Sequence, residues 1–245
     1  MNRPKITLHI FSTLDGKNNY TAPSVGISDE SWVRDYIEIH RKFDKKATFV
    51  GRTTAEEEYA HFLLPQIEQT DEKISREDFI ADNGTSSKYL VALDSSGALK
   101  WTTNQLSLWD STHVNHTEKE DIAHIIEVLS ENVSDCFLAH LRKIGVSYIF
   151  GGKDSIDLPL VLAKLKSVFG IDEAIIGGGA ILNGSFHAHG FIDELSLYLV
   201  PVIEGCTDEK TIVEVLPKFG VPIPVGYKLK NMQAYGNAVH LLYEC

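Results

Sequence analysis

Short apolar runs of strand length alternate with segments of helical periodicity along nearly the whole chain. Residues 5–11 form the first such run, and Trp32, Tyr36, Ile39 and Phe43 then recur at the spacing of one helix face. Alternation of this kind is typical of strands that are joined by crossover helices. The sequence therefore predicts one α/β sheet that is mostly parallel.

The same alternation continues to the C-terminus. Further strands are predicted at residues 47–50, 89–93, 146–150, 174–176 and 195–200. Further helices are predicted at residues 28–44, 54–64, 134–145, 158–169 and 180–189. Residues 68–87 are polar and irregular, which predicts an exposed excursion. Residues 227–235 and 238–243 flank Gly236-Asn237, a residue pair that is typical of a tight β-hairpin turn.

Composition excludes several classes of function. The chain has 245 residues, of which 43% are hydrophobic, enough to bury a full core, and a net charge of −11. A protein this acidic repels nucleic-acid phosphates and anionic membranes at long range. The longest apolar runs are too short to span a membrane. The three cysteines, Cys136, Cys206 and Cys245, are widely spaced, which predicts reduced thiols and no disulfide. We expect a single cytoplasmic domain over residues 1–245 that binds neither nucleic acid nor a membrane.

The strongest local signal is a glycine loop between a predicted strand and a predicted helix. Gly177, Gly178 and Gly179 follow the apolar residues 174–176 and precede Ala180, where the helix starts. Glycine lets the backbone approach an anion closely, and the first N–H groups of a helix are unpaired donors with a favourable dipole. The loop therefore suits a diphosphate, although a tight strand-to-helix turn explains the same glycines equally well. Its spacing differs from the Rossmann fingerprint.

A second strand–glycine–helix junction lies earlier in the chain. Gly51 follows the predicted strand at 47–50, and Arg52 and Thr54 come directly after it. An arginine at the carboxyl end of a strand suits bidentate contact with a phosphate. The alternatives are a solvated surface cation for Arg52 and a plain helix N-cap for Thr54.

Together the two junctions resemble dihydrofolate reductase, in which a Gly-Arg-x-Thr segment and a later Gly-Gly-Gly loop both contact NADPH. The resemblance sharpens towards the reductase domain of the riboflavin-pathway deaminase-reductases. The segments that carry it are residues 13–17 (TLDGK), 91–95 (VALDS), 179–184 (GAILNG), 190–201 (GFIDELSLYLVP) and the closing hairpin. They follow the family's order over nearly the whole chain, and the zinc signature of the deaminase half is absent. The resemblance implies a dihydrofolate-reductase-like fold: a mostly parallel central sheet flanked by helices, with a C-terminal antiparallel hairpin.

The resemblance also implies a cofactor site, a substrate contact and a catalytic residue. The implied NADPH-binding residues are Gly51, Arg52, Thr54, Glu58, Ser95, Gly151, Gly178, Gly179, Ala180, Ile181, Leu182, Asn183 and Gly184. Ser95 and Arg52 are the candidates for the ribose 2′-phosphate, and residues 179–185 for the diphosphate. Arg41 is the implied substrate contact. Asp15 lies on the loop that approaches the nicotinamide and the substrate and is the candidate catalytic residue, with an ordinary turn carboxylate as the alternative.

Three positions on the substrate side depart from that family. His9 stands where a lysine is common, Gly177 stands where a glutamate is common, and no arginine lies shortly after Glu58.

The predicted reaction is hydride transfer from NADPH to a small heterocycle. The preferred substrate is 5-amino-6-(5-phosphoribosylamino)uracil, or the related diaminopyrimidine, of riboflavin biosynthesis. The alternatives are a same-fold reductase of a pterin or another imine or carbonyl compound, and a non-catalytic nucleotide-binding relative.

Two further predictions concern assembly and metals. The resemblance implies a homodimer that forms through the sheet edge of the C-terminal hairpin.

Five histidines lie close together in the sequence in two groups: His113, His116 and His124, and then His187 and His189. Residues two apart on a helix point in different directions and cannot easily share a metal. We expect a surface position for all five histidines and no metal site.

Overall fold

The computed structural model describes residues 2–18, 30–60, 66–84, 86–108 and 122–245. Its strands are β1 (Lys5–Ser12), β2 (Ala47–Gly51), β3 (Lys88–Leu93), β4 (Gln105–Ser107), β5 (Ile122–Leu129), β6 (Ser147–Phe150), β7 (Glu173–Gly178), β8 (Glu194–Leu199), β9 (Lys228–Tyr235) and β10 (Ala238–Glu244). Its helices are α1 (Glu30–Phe43), α2 (Arg52–Glu58), α3 (Asp135–Ile144), α4 (Leu158–Phe169) and α5 (Ala180–Ala188). The predicted α/β architecture with mostly parallel strands is confirmed.

The backbone groups into two compact units. The first unit comprises Met1–Pro4 and Lys46–Asp172, and the second comprises Lys5–Lys45 and Glu173–Cys245. The prediction of one domain over residues 1–245 stays a prediction. In the part of the chain that the structure describes, no helix is long and apolar enough to cross a membrane.

In the first unit, β2, β3, β5 and β6 are parallel neighbours in that order. Phe49 pairs with Val91, and Val91 in turn pairs with Ile126. The short strand β4 runs antiparallel beside the first residues of β5, and β6 lies beside its last four residues. Every residue of β5 after the first is buried, as expected for a parallel strand that is covered on both faces.

Strand β5 is the main element that the sequence pattern did not predict. Its apolar residues recur with the i, i+3, i+4, i+7 spacing of a helix, so periodicity alone does not identify it as a strand. It also carries His124 and Glu127, both 0% exposed. Pairing with β3 on one side and β6 on the other makes this segment a strand.

The polar segment at residues 68–87 is irregular, as predicted, but parts of it are anchored. Phe79 forms an antiparallel bridge with Tyr148 of β6, and Ile74 is only 7% exposed. The guanidinium of Arg76 donates to the Asp135 carboxylate at the start of α3. Most of the segment is exposed, as predicted, whereas these contacts bury Ile74 and cover the open edge of β6.

In the second unit, the strand order is β7, β1, β8, β10 and β9. The first three strands are parallel, and β8, β10 and β9 are antiparallel neighbours. The hairpin between β9 and β10 turns at Gly236, which has φ +59°, so the predicted C-terminal hairpin is confirmed. Helix α1 covers one face of this sheet, where Trp32 and Ile39 pack with Phe11 and Tyr198.

Candidate functional site

The parallel strands of the first unit end at one edge of their sheet, and predicted cofactor residues lie there. Gly51 ends β2, Ser95 follows β3, and Gly151 follows β6. Ser130 follows β5, and its hydroxyl donates to the Ser95 carbonyl oxygen at 2.7 Å. Ligands of open α/β sheets bind outside the carboxyl ends of the strands. The fold therefore brings these segments together at the edge where a nucleotide is expected.

Helix α2 follows β2 directly, which decides between two interpretations made from sequence. Gly51 is its N-cap, and no side chain caps it. Thr54 is the third helical residue and is half-buried, so the N-cap interpretation of Thr54 is wrong. Arg52 is exposed and forms an ion pair with Glu56 one turn later, with 3.1 Å between the nitrogen and the oxygen. Such an exposed pair is worth a few tenths of a kcal/mol, so a phosphate can compete with Glu56 for Arg52.

Glu58 ends α2 and has an unusual proton affinity. Loss of hydration among surrounding protein atoms, followed by repulsion from Glu57, raises the pKa of the Glu58 carboxyl to about 7. The residue still contacts solvent, so the shift reflects crowding by protein atoms and not full enclosure. A carboxyl group with this pKa is partly protonated at neutral pH and can donate a proton.

Asp15 has the opposite character. Its carboxylate accepts hydrogen bonds from the Thr13 hydroxyl at 2.6 Å and from the backbone N–H groups of Glu204 and Gly205 at 3.2 and 2.9 Å. The Thr13 bond, followed by the Gly205 bond, lowers the pKa of Asp15 to about 2. The carboxylate is therefore ionised at neutral pH and holds two loops together. This geometry fits the turn-carboxylate alternative, and the catalytic role of Asp15 stays a prediction.

The glycine loop of the second unit joins β7 to α5. Gly178 has φ +144° and Gly179 has φ +96°, a region of backbone conformation that favours glycine. Gly179 is also the N-cap of α5 and offers no side chain to its first N–H groups. These donors are therefore available to an anion.

The last residues of the glycine motif contact the protein's own chain. Asn183 is 0% exposed, and its side-chain amide donates to the Ile212 carbonyl oxygen at 2.7 Å. At Gly184, a Cβ atom would lie 1.9 Å from the Glu214 carbonyl oxygen. Gly184 is therefore needed for the close approach of the segment 211–215 to α5. The enclosed side chain of Asn183 supports the same contact, so its implied role in binding NADPH stays a prediction.

His9, which departs from the family pattern, belongs to a buried hydrogen-bond chain. Its Nδ1 lies 2.8 Å from the Ser196 hydroxyl, which lies 2.8 Å from His240 Nε2. Its Nε2 lies 3.1 Å from the Tyr36 carbonyl oxygen, which can only accept, so Nε2 carries the proton. Burial, outweighing the two hydrogen bonds, lowers the pKa of His9 to about 3. His9 is thus a neutral core residue and does not replace the cationic lysine that is common at this position.

Two other predicted positions can be located in the structure. Arg41 lies in the last turn of α1, between His40 and Lys42; its contact with a substrate stays a prediction. His124 is 0% exposed and lies 2.8 Å from the Ser147 hydroxyl. The surface prediction is therefore wrong for His124, because β5 lies inside the sheet.

The remaining histidines give no metal site within the described residues. His113 and His116 lie outside the described residues. His187 is half-buried and His189 is exposed. Among the residues that the structure describes, no three histidine, cysteine or acidic side chains are grouped so that they could hold a metal ion.

Comparisons with known proteins agree with the resemblance found in the sequence. Residues 4–241 match the family model of the RibD C-terminal domain. A relative from Methanothermobacter thermautotrophicus, 2,5-diamino-6-ribosylamino-4(3H)-pyrimidinone 5′-phosphate reductase, is 26% identical over 212 residues, which cover 86% of this chain and 84% of that protein.

Solved structures show the same fold. RibD of Acinetobacter baumannii superposes with a TM-score of 0.61 at 18% identity, and the match covers 100% of this chain and 58% of that one. A pyrimidine reductase-like protein of Corynebacterium diphtheriae gives a TM-score of 0.66 at 17% identity, covering 99% and 92% of the two chains. The chain thus spans little more than half of the A. baumannii protein. The family predicted from the sequence motifs is confirmed: this chain belongs to the RibD C-terminal domain family.

Proposed function

We propose that this chain is an NADPH-dependent reductase of riboflavin biosynthesis that acts on a phosphoribosylamino-pyrimidine. The observation that carries the proposal is the family match over residues 4–241. The relative from M. thermautotrophicus supports the substrate class, because its name specifies a ribosylamino-pyrimidinone phosphate.

The resemblance implies cofactor-binding residues in each of the two units, taken separately. In the second unit, the glycine loop at Gly178 and Gly179 presents helix N–H groups that suit a diphosphate. In the first unit, Ser95 and Arg52 are exposed at the carboxyl edge of the sheet, where they suit the ribose 2′-phosphate. That phosphate distinguishes NADPH from NADH, so these residues would set cofactor choice.

The proposed reaction needs both a hydride and a proton. When bound, NADPH supplies a hydride for C1 of the ribosyl group. The bond from C1 to the ring oxygen breaks as the ribose opens, and that oxygen must receive a proton to give the ribitylamino product. Glu58 is suited to supply this proton, because loss of hydration raises the pKa of its carboxyl to about 7. Asp15, with a pKa of about 2, is not.

The test is turnover by the purified protein. We expect either pyrimidine substrate to cause loss of the absorbance of reduced nicotinamide. Arg41→Ala should raise KM by about 10-fold or more, because a charge-assisted hydrogen bond to phosphate is worth about 1.5–3 kcal/mol. Arg34→Ala is the matched control, since Arg34 is an exposed arginine on the same helix and should leave KM unchanged.

The pH dependence of the rate in the same assay tests Glu58 as the proton donor. A proton donor is active only while protonated, so the rate should fall as the pH rises above about 7. Glu58→Gln should lower kcat and abolish that pH dependence. Tight binding of NADPH without reduction of either pyrimidine would reject the pathway assignment, and a pterin and imine panel would then separate the remaining reductase alternative from a non-catalytic protein.

The proposed partner is a second copy of this chain, and the structure offers a surface for it. Seven of the eight residues of β9 are exposed. On one face of β8, β10 and β9, the strand register aligns nine apolar or aromatic side chains: Leu195, Leu197 and Leu199 of β8, Val239, Leu241 and Tyr243 of β10, and Leu229, Met232 and Ala234 of β9. We call these nine residues the apolar face. Met232 on this face is 65% exposed, and apolar patches of this extent are typical of self-association surfaces.

A charge on the apolar face should dissociate the proposed dimer. Met232→Glu places a carboxylate there, whereas Gln233→Glu places the same charge on the opposite face of β9. In sedimentation at micromolar concentration, we expect wild type and Gln233→Glu at twice 27.3 kDa and Met232→Glu at 27.3 kDa. A monomeric wild-type protein would reject the dimer, and equal behaviour of the two variants would reject this face.

A further inference from the structure

The turn after β3 is organised by one buried carboxylate. Asp94 is 1% exposed. Its Oδ1 accepts from the backbone N–H and the hydroxyl of Ser96 at 3.1 and 2.7 Å, and its Oδ2 accepts from the N–H groups of Ala98 and Leu99. A single side chain therefore fixes the backbone on the C-terminal side of Ser95.

A second buried carboxyl group lies against the first. Glu127 of β5 is 0% exposed, and its Oε2 accepts from the indole N–H of Trp101 at 3.0 Å. Burial, followed by the negative charge of Asp94 and a hydrogen bond with that side chain, raises the pKa of Glu127 well above its ordinary value. In the described part of the chain its Oε1 receives no hydrogen bond. A protonated Oε1 that donates to Asp94 satisfies both groups.

Ser95 itself is held from the opposite side. Its carbonyl oxygen accepts from the hydroxyl and the backbone N–H of Ser130 at 2.7 and 3.3 Å. Two residues later, Gly97 has φ +66° and packs so closely on Phe137 that a Cβ atom would lie 2.8 Å from that ring. The backbone of the turn is thus fixed on both sides, while Ser95 is exposed.

We propose that Glu127 and Asp94 are positioning residues for cofactor choice: Glu127 fixes the Asp94 carboxylate, and Asp94 fixes the turn that presents Ser95 to the ribose 2′-phosphate. The inference rests on the proposed binding of NADPH. Both side chains are buried, so their proposed effect on the cofactor is indirect. The proton on Glu127 also keeps a second negative charge away from a phosphate dianion, which a charged pair would repel.

The experiment compares the affinities of NADPH and NADH by calorimetry. Glu127→Leu removes the donor to Asp94 and the acceptor for Trp101, and we expect about 10-fold weaker binding of NADPH with less than 2-fold change for NADH. Glu127→Gln keeps both bonds, since its amide N–H donates to Asp94 and its oxygen accepts from Trp101. It should retain the preference of the wild type for NADPH.

A control separates cofactor choice from general loss of stability. Tyr148→Phe removes a buried hydroxyl that accepts from Arg142 at 2.8 Å in the same unit, and it should leave the ratio of the two affinities unchanged. If Glu127→Leu does not fold, Asp94→Asn gives the second variant, because its amide nitrogen opposes N–H donors of the turn. We expect the same loss of preference there.

The outcomes distinguish the inference from the proposed function. A preference for NADPH that survives in Glu127→Leu or Asp94→Asn overturns the inference alone, as does an equal loss of both affinities. A wild-type protein without a preference for NADPH overturns the inference together with the proposed function.

Discussion

Gly179→Asp should abolish binding of NADPH, with a loss of affinity of more than 100-fold. Gly179 precedes α5, so a carboxylate at this N-cap would itself accept from the first N–H groups of the helix. It would also repel the diphosphate. Two unit charges about 5 Å apart at an effective dielectric constant of about 20 repel by about 3 kcal/mol, which corresponds to about 100-fold in affinity.

Gly179→Asn is the matched control for this prediction. Asparagine has the same size as aspartate, tolerates positive φ to a similar degree and caps a helix equally well, but it is neutral. We expect calorimetry to show a much smaller loss of NADPH affinity for Gly179→Asn than for Gly179→Asp. Unchanged affinity in Gly179→Asp would remove this loop from the cofactor site.

Acid should destabilise the folded protein through His9. The pKa of His9 is about 3 in the folded chain and 6.5 for the unperturbed group. Between those values the unfolded chain binds a proton that the folded chain does not. The stabilisation is therefore complete above pH 6.5 and is lost as the pH falls towards 3, at about 1.4 kcal/mol per pH unit. Between pH 7.5 and pH 5, His9 alone should lower the free energy of unfolding by about 2 kcal/mol.

A variant is needed to isolate His9, because other groups titrate in this range. The lowered pKa values of His124 and His240 act in the same direction, whereas the raised values of Glu58 and Glu127 act in the opposite one. His9→Gln keeps a donor to the Tyr36 carbonyl and cannot be protonated. Urea unfolding measures the free energy of unfolding at pH 7.5 and at pH 5. Between these pH values, His9→Gln should lose about 2 kcal/mol less of this free energy than wild type.

The exposed His189 of the same unit provides the control for this measurement. His189→Gln should reproduce the pH dependence of the wild type. If wild type and His9→Gln lose the same free energy between the two pH values, then His9 is not the neutral buried group that the hydrogen-bond chain requires.

The junctions that the sequence predicted are those in which local geometry demands a particular residue. Gly178 and Gly179 have positive φ, and Gly236 turns a hairpin, so the requirement is visible in the residues themselves. The edge of the first sheet was predictable for another reason: Gly51 ends β2 and Gly151 directly follows β6, so each glycine marks the end of an apolar run.

Contacts between distant parts of the chain could not be predicted in this way. The Asp15 carboxylate is held by N–H groups that lie 189 and 190 positions later, and no local pattern distinguishes it from a catalytic acid. Glu127 resembles a surface glutamate in a helical pattern, and only its burial beside Asp94 raises its pKa. The same tertiary effect encloses His124, because β5 becomes a central strand only once its neighbours pair with it.

The hydrogen-bond chain of His9 also limits which side chains position 9 can accept. One carbonyl oxygen, that of Tyr36, sets the direction of every bond as far as His240, so the polarity of Ser196 is fixed as well. A lysine at position 9 would place an ammonium group among partners arranged for neutral rings. A replacement at position 9 would therefore also disturb Ser196 and His240, so the three side chains are expected to act as one unit.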